Sequence, residues 1–148
     1  MRENYRTIDV ELASGKKIKD VSYEDIDHYI MMIKYGEEDF VILNSENGFL
    51  QFYGIGNEYI AEVWRYFDDK DFCCYSLINS DKKDKLQRIK FSTPYGDFTP
   101  MERDIVSLEL ITAAVKEYYK NIDIQDFCKI IPVVDTTEEM KELMGHKN

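Results

Sequence analysis

Asn47-Gly48 sits between two runs rich in apolar and aromatic residues, 39–45 and 49–53. Of all dipeptides it best tolerates the positive φ values of a type I′ hairpin turn, so it makes two antiparallel strands the strongest local expectation in the chain. Gly54-Ile55-Gly56-Asn57 supplies a second turn. Further strands are predicted at about 58–67, 72–78 and 86–92, separated by polar loops at Asp68 to Asp71 and Asn79 to Lys85. Consecutive strands with short links usually pair, so the centre of the chain reads as an antiparallel meander.

On the N-terminal side, Ile8, Val10 and Leu12 alternate with Thr7, Asp9 and Glu11, the two-residue period of a half-buried strand. Ser14-Gly15 turns the chain, and Lys16 to Asp20 is its hairpin partner. Ser22 is placed to cap a helix, with Asp25 three residues on; Ile26, Tyr29, Ile30 and Ile33 follow at helical spacing before Gly36. On the C-terminal side, Thr93-Pro94-Tyr95-Gly96 breaks the sheet. Thr99-Pro100-Met101-Glu102 then reads as a helix start with N-cap, N1 proline and N3 glutamate. That helix is expected to reach about Lys120, with Met101, Ile105, Leu108, Ile111, Val115 and Tyr118 facing the sheet. Asp123 to Ile131 forms a short helix closed by Pro132, and Thr136 or Asp135 caps a last one through Met144. The expected fold is α+β: one domain over residues 1–148, an antiparallel meander packed by one long C-terminal helix plus shorter helices.

Composition narrows the function. The 148 residues carry a net charge of −10, with 44% hydrophobic and 14% aromatic side chains, too much apolar area for a disordered acidic tail. Residues 1–74 hold 8 basic and 16 acidic side chains and residues 75–148 hold 11 and 13, so the acidity is concentrated in the first half. A pI near 4.7 weighs against nucleic acid as a direct partner, because phosphate affinity comes from Lys and Arg displacing counterions. A basic protein partner is favoured instead. No apolar run approaches the roughly 20 residues needed to span a bilayer, and Met1 to Arg6 has no signal-like character, so no membrane partner and a cytoplasmic location are expected.

The residues of chemistry are scattered. Cys73 and Cys74 are adjacent and the cysteine count is odd, which suits neither a disulfide framework nor a Cys-x-x-Cys site; His28 and His146 are far apart. Gly54-Ile55-Gly56 lacks the third glycine and following helix of a dinucleotide loop and reads as a turn. There is no Gly-x-Ser-x-Gly elbow. Asp68, Asp69 and Asp71 share a loop but lack the glycine and downstream glutamate of a calcium loop, and read as solvated. Lys82, Lys83, Lys85, Arg88 and Lys90 read as a solvated, aggregation-resistant sheet edge. Neither metal nor cofactor is expected.

The strand at 58–66 is more informative. If Tyr59, Ala61 and Val63 point inward, Glu58, Ile60, Glu62, Trp64 and Tyr66 point outward as an acidic and aromatic stripe that includes the only tryptophan. Aromatic anchors ringed by charge are a common composition of protein-binding hot spots. The alternative is that a helix covers this face, making Ile60 and Trp64 core residues and reversing the register.

Gly48-Phe49-Leu50-Gln51-Phe52-Tyr53-Gly54 followed by Glu58-Tyr59-Ile60-Ala61-Glu62-Val63, with Thr93-Pro94-Tyr95-Gly96-Asp97-Phe98-Thr99 ahead of the expected long helix, resembles immunity proteins of bacterial polymorphic toxin and contact-dependent growth-inhibition systems. The resemblance covers about residues 38 to 120. It implies a small cytoplasmic protein that performs no reaction and blocks one toxin domain, commonly a nuclease; it carries no shared catalytic or contact motif. Charge agrees, since a nuclease that holds a polyanion is basic around its active site. The candidate partner-binding residues are Glu58, Glu62, Trp64 and Tyr66, with Asp68, Asp69 and Asp71 at the end of the stripe. Two alternatives stand beside this: a small carboxylate or metal-dependent hydrolase, and a generic adaptor that homodimerises through the exposed strand.

Overall fold

The computed structural model describes residues 7–38, 40–68, 71–93, 96–120 and 123–145. Asp69, Pro94, Tyr95 and His146, singled out above, lie outside them. The strands are β1 (Asp9–Leu12), β2 (Lys17–Ile18), β3 (Phe40–Ser45), β4 (Gly48–Ile55), β5 (Glu58–Tyr66), β6 (Phe72–Leu77), β7 (Phe91–Thr93), β8 (Gly96–Phe98) and β9 (Val133–Asp135). The helices are α1 (Ile26–Lys34), α2 (Leu108–Tyr119), α3 (Ile124–Ile130) and α4 (Thr137–Leu143). Seven strands form one sheet in the order β2-β1-β3-β4-β5-β6-β9, every neighbouring pair antiparallel, while β7 and β8 make a separate hairpin. The fold is α+β, with the expected meander at its centre.

Alternation along the strands decides the two faces. Val10, Val41, Leu43, Leu50, Phe52, Tyr59, Ala61 and Val63 are buried on the inner face against Ile26, Ile30 and Ile33 of α1, Ile111, Ala114, Val115 and Tyr118 of α2, and Phe127 of α3. Each valine, leucine, isoleucine or phenylalanine among them contributes about 1.5–3 kcal/mol by its removal from water. Polar tips in this layer find acceptors: the Tyr119 hydroxyl donates to the Val21 carbonyl at 3.0 Å, and Tyr118 and Ser45 share a hydrogen bond of 2.7 Å.

The long C-terminal helix is not formed. Residues 85–89 and 100–103 pair through backbone hydrogen bonds, Arg103 N–H to Lys85 O, Glu102 N–H to Gln87 O and Ile89 N–H to Pro100 O. Val106 then exchanges both backbone bonds with Tyr59, on the same flank of β5 as β6 but beyond the end of the β6 pairing at Glu62. Backbone groups between Pro100 and Val106 are therefore used in pairing with distant segments of the same chain, with a single 3-10 turn at Glu102–Asp104. The helix starts at Leu108, where the Ser107 hydroxyl accepts from the Leu110 N–H at 3.2 Å. Ser107→Ala is expected to lower the unfolding free energy by about 1 kcal/mol in a urea titration.

Two other expectations are corrected. The strand predicted at 86–92 shrinks to β7, outside the main sheet, and the sheet gains β9 instead. The hairpin loop between β3 and β4 is Glu46-Asn47, because Ser45 pairs with Gly48, and neither loop residue has positive φ. Gly48 serves another purpose: a Cβ there would lie 2.0 Å from the Trp64 carbonyl oxygen, so only glycine lets β4 and β5 approach at that point.

Candidate partner-binding face

The outer sheet face is built by the other half of each alternation, and antiparallel register dictates which residues meet on it. Phe49 lies opposite Trp64, Gln51 opposite Glu62, and Tyr53 opposite Ile60; on the other flank of β5, Trp64 lies opposite Cys74 and Glu62 opposite Ser76. The register through 58–66 is the one in which Tyr59, Ala61 and Val63 face inward, yet the outer side is also covered at both ends. Helix α4 lies over one end, with Met140 packed against Trp64, Phe72 and Cys74. The β7–β8 hairpin covers the other, with the Phe98 ring 5.0 Å from that of Tyr53.

Trp64 is therefore a core residue of a second, smaller cluster. It is 9% exposed, stacked on Phe72 at 5.0 Å and on Phe49 at 5.6 Å, which corrects the expectation of a solvent-facing anchor. Its neighbour Tyr66 is 44% exposed, as is much of Phe67. Glu58 is exposed at the far end of β5, about 26 Å from Tyr66 along the strand at ~3.3 Å per residue. Asp68 and Asp71 are exposed, and Asp68 Oδ1 accepts from the Asp71 N–H at 2.8 Å. Asp71 also pairs with Lys141 at 3.0 Å, tying α4 to this loop. The predicted residues thus form a stripe along one strand rather than a single cluster.

Beside the β7–β8 hairpin, over β3, β4 and β5, lies a groove of about 310 Å³, lined by Phe40, Ile42, Gln51, Tyr53, Glu62 and Phe98. Of these, sequence reasoning selected Glu62 alone. Gln51 was within reach of it, since a correct hairpin register puts it directly across the strand pair. Phe98 was not, because it arrives from a hairpin outside the main sheet.

Glu62 is half-buried in this groove. Its Oε1 accepts from Gln51 Nε2 at 2.8 Å, and the Cys74 thiol approaches Oε2 at 3.9 Å. Burial raises its pKa above the usual glutamate value; the bonds from Gln51 and Cys74 oppose that shift and the Asp104 carboxylate adds to it. Burial also raises Asp104, against the pull of Arg103, the Met101 N–H and Arg88. Tyr53 is pushed up to about 12 by burial and by both carboxylates. The Cys74 thiol is pushed up to about 12 and Cys128 to about 11, mainly by burial, which keeps both protonated and weakly nucleophilic at neutral pH.

A raised carboxyl pKa means that the folded state holds its proton more tightly than the unfolded chain does. Glu62 therefore favours folding when protonated, and that contribution is lost as pH rises from the ordinary value of 4.5 through the raised one. Glu62→Gln, which keeps an acceptor for Gln51, is expected to raise the melting temperature at pH 7 and to leave it nearly unchanged below the ordinary glutamate pKa. Thermal unfolding across pH checks both halves; a lower melting temperature at pH 7 would contradict the desolvation argument.

Among the described residues no three His, Cys, Asp or Glu side chains converge on a point that would hold a metal ion, and no helix is long and apolar enough to cross a membrane. Comparison with protein-family models, with curated proteins and with solved structures finds no match for this chain.

Proposed function

We propose that this chain is an immunity protein: it acts in the cytoplasm, binds a cognate bacterial toxin domain and blocks it by steric and electrostatic occlusion, without turning anything over. The observation that carries the reading is the outer sheet face. A carboxylate is held there in an aromatic-walled groove against its own desolvation, and exposed Glu58, Asp68, Asp71 and Tyr66 extend the acidic and aromatic surface along β5. The net charge of −10 and the likeness of residues 38 to 120 to immunity proteins point the same way. A basic nuclease is the toxin class that this charge suits best, since complementary potentials accelerate encounter and favour the right partner. On this reading Glu58, Glu62, Tyr66, Asp68 and Asp71 meet the toxin, with Asp69 in the same loop, while buried Trp64 supports the surface from beneath.

The test is complex formation between the purified protein and the toxin domain encoded immediately upstream. A complex is expected at micromolar concentration or below, and its absence at both low and moderate salt would overturn the proposal. Glu58→Lys, on an exposed side chain, is expected to slow association several-fold at low ionic strength, with the difference fading as salt screens it. Stopped-flow mixing at two salt concentrations measures this.

A further inference from the structure

We propose that the groove over Glu62 is a receptor for one guanidinium group, that of an arginine side chain presented by the bound protein. The inference rests on the immunity reading for its partner, and on the groove's own chemistry for its ligand.

Glu62 sits in the groove with a carboxylate that, among the described residues, accepts at Oε1 from Gln51 and at Oε2 from the Cys74 thiol, the latter at 3.9 Å. An ionised carboxylate offers about four lone-pair positions, so two hydrogen bonds from a planar donor fork are still accommodated. Among the described residues no lysine or arginine lies within ion-pair distance of it; the seven ion pairs found all involve other carboxylates. Arg103, whose charge bears on the neighbouring Asp104, is 3.8 Å from that carboxylate.

Phe40, Tyr53 and Phe98 place three aromatic rings in the groove lining, and a cation that meets a ring face is attracted by the aromatic quadrupole. Ile42 completes an apolar wall. A volume of about 310 Å³ is at the lower limit of small-molecule sites, suited to one side chain rather than to a nucleotide or a folded loop. Arginine is favoured over lysine because its flat, weakly hydrated head both stacks on rings and forks onto a carboxylate. Occupation would also restore the charge balance that burial denies to Glu62.

The experiment is a titration of the isolated, isotope-labelled protein with N-acetyl-arginine methylamide, followed by amide and aromatic NMR shifts. The citrulline counterpart, which has nearly the same shape and no charge, is titrated in parallel. Saturable shifts centred on the Gln51 side-chain amide and the rings of Phe40, Tyr53 and Phe98 are expected with the arginine probe. The citrulline probe should bind at least tenfold more weakly, and Glu62→Gln should weaken the arginine probe at least tenfold while its spectrum remains that of a folded protein. Equal response to both probes, shifts elsewhere on the surface, or an undiminished response in Glu62→Gln would overturn the proposal; the first two need no variant. Failure of the toxin complex would remove the functional reading and leave this titration standing. A toxin complex of unchanged affinity in Glu62→Gln would remove the arginine receptor and leave the functional reading standing.

Discussion

Trp64→Ala is expected to lower the unfolding free energy by about 3–5 kcal/mol, the range for deleting a large aromatic side chain from a packed site. The indole stacks on Phe49 and on Phe72, and Met140 of α4 packs against the same cluster, so closing the vacated space draws on the packing of that helix. The loss should therefore be local first: hydrogen exchange at residues 137–143 should accelerate by more than global destabilisation explains. As the only tryptophan it also reports on itself, and a side chain 9% exposed should emit at short wavelength and resist iodide quenching. A stability change below about 1 kcal/mol together with loss of partner binding would instead identify Trp64 as a solvent-facing anchor.

Gly48→Ala is expected to cost about 2–3 kcal/mol, near the upper end for overpacking, because the added carbon meets backbone rather than a yielding side chain. The Trp64 carbonyl oxygen would be 2.0 Å from the new Cβ and the Arg65 Cα 3.0 Å from it. Relief requires β4 and β5 to separate where Gly48 pairs with Arg65, beside the stacked Phe49 and Trp64 rings. Gly56→Ala makes a useful contrast: no atom lies within 4 Å of its added carbon, so the penalty there comes only from its positive φ of 66°. Chemical denaturation of both variants separates contact strain from conformational strain, and equal costs would show that the close approach at Gly48 is not what requires glycine.

Periodicity carried the parts of the fold where one force dominates. Ile26, Ile30 and Ile33 at helical spacing mark the buried stripe of α1, and the alternation from Tyr59 to Val63 identifies the inner face of β5, because burial alone decides both. Turn and cap signals were less dependable where tertiary pairing competes with them. Thr99-Pro100-Met101-Glu102 has the composition of a helix start, but strand-like pairing with residues 85–89 and the bridge at Val106 claim the same backbone groups. Asn47-Gly48 located the hairpin correctly and its loop one residue late, since the glycine answers to a neighbouring strand rather than to the turn. Val133-Val134-Asp135 is too short to announce a strand between two helices; it becomes one because β6 has an open flank beside it. The stripe along β5 was legible as alternation, whereas the groove needed Phe98, whose position depends on a hairpin packed across the sheet.

The way β6 is closed has a consequence for biogenesis. Its backbone from Cys74 to Ile78 is satisfied by residues 132–137, more than fifty positions later in the chain, through β9, the Pro132 carbonyl and the Thr136 and Thr137 contacts. While the ribosome is still delivering those residues, Phe72-Cys73-Cys74-Tyr75-Ser76-Leu77 is an uncapped apolar ribbon, the kind of segment that templates aggregation. The nascent molecule thus passes through an adhesive stage that ends only when its last strand docks, and variants that delay that docking would precipitate during expression even if the finished fold were sound.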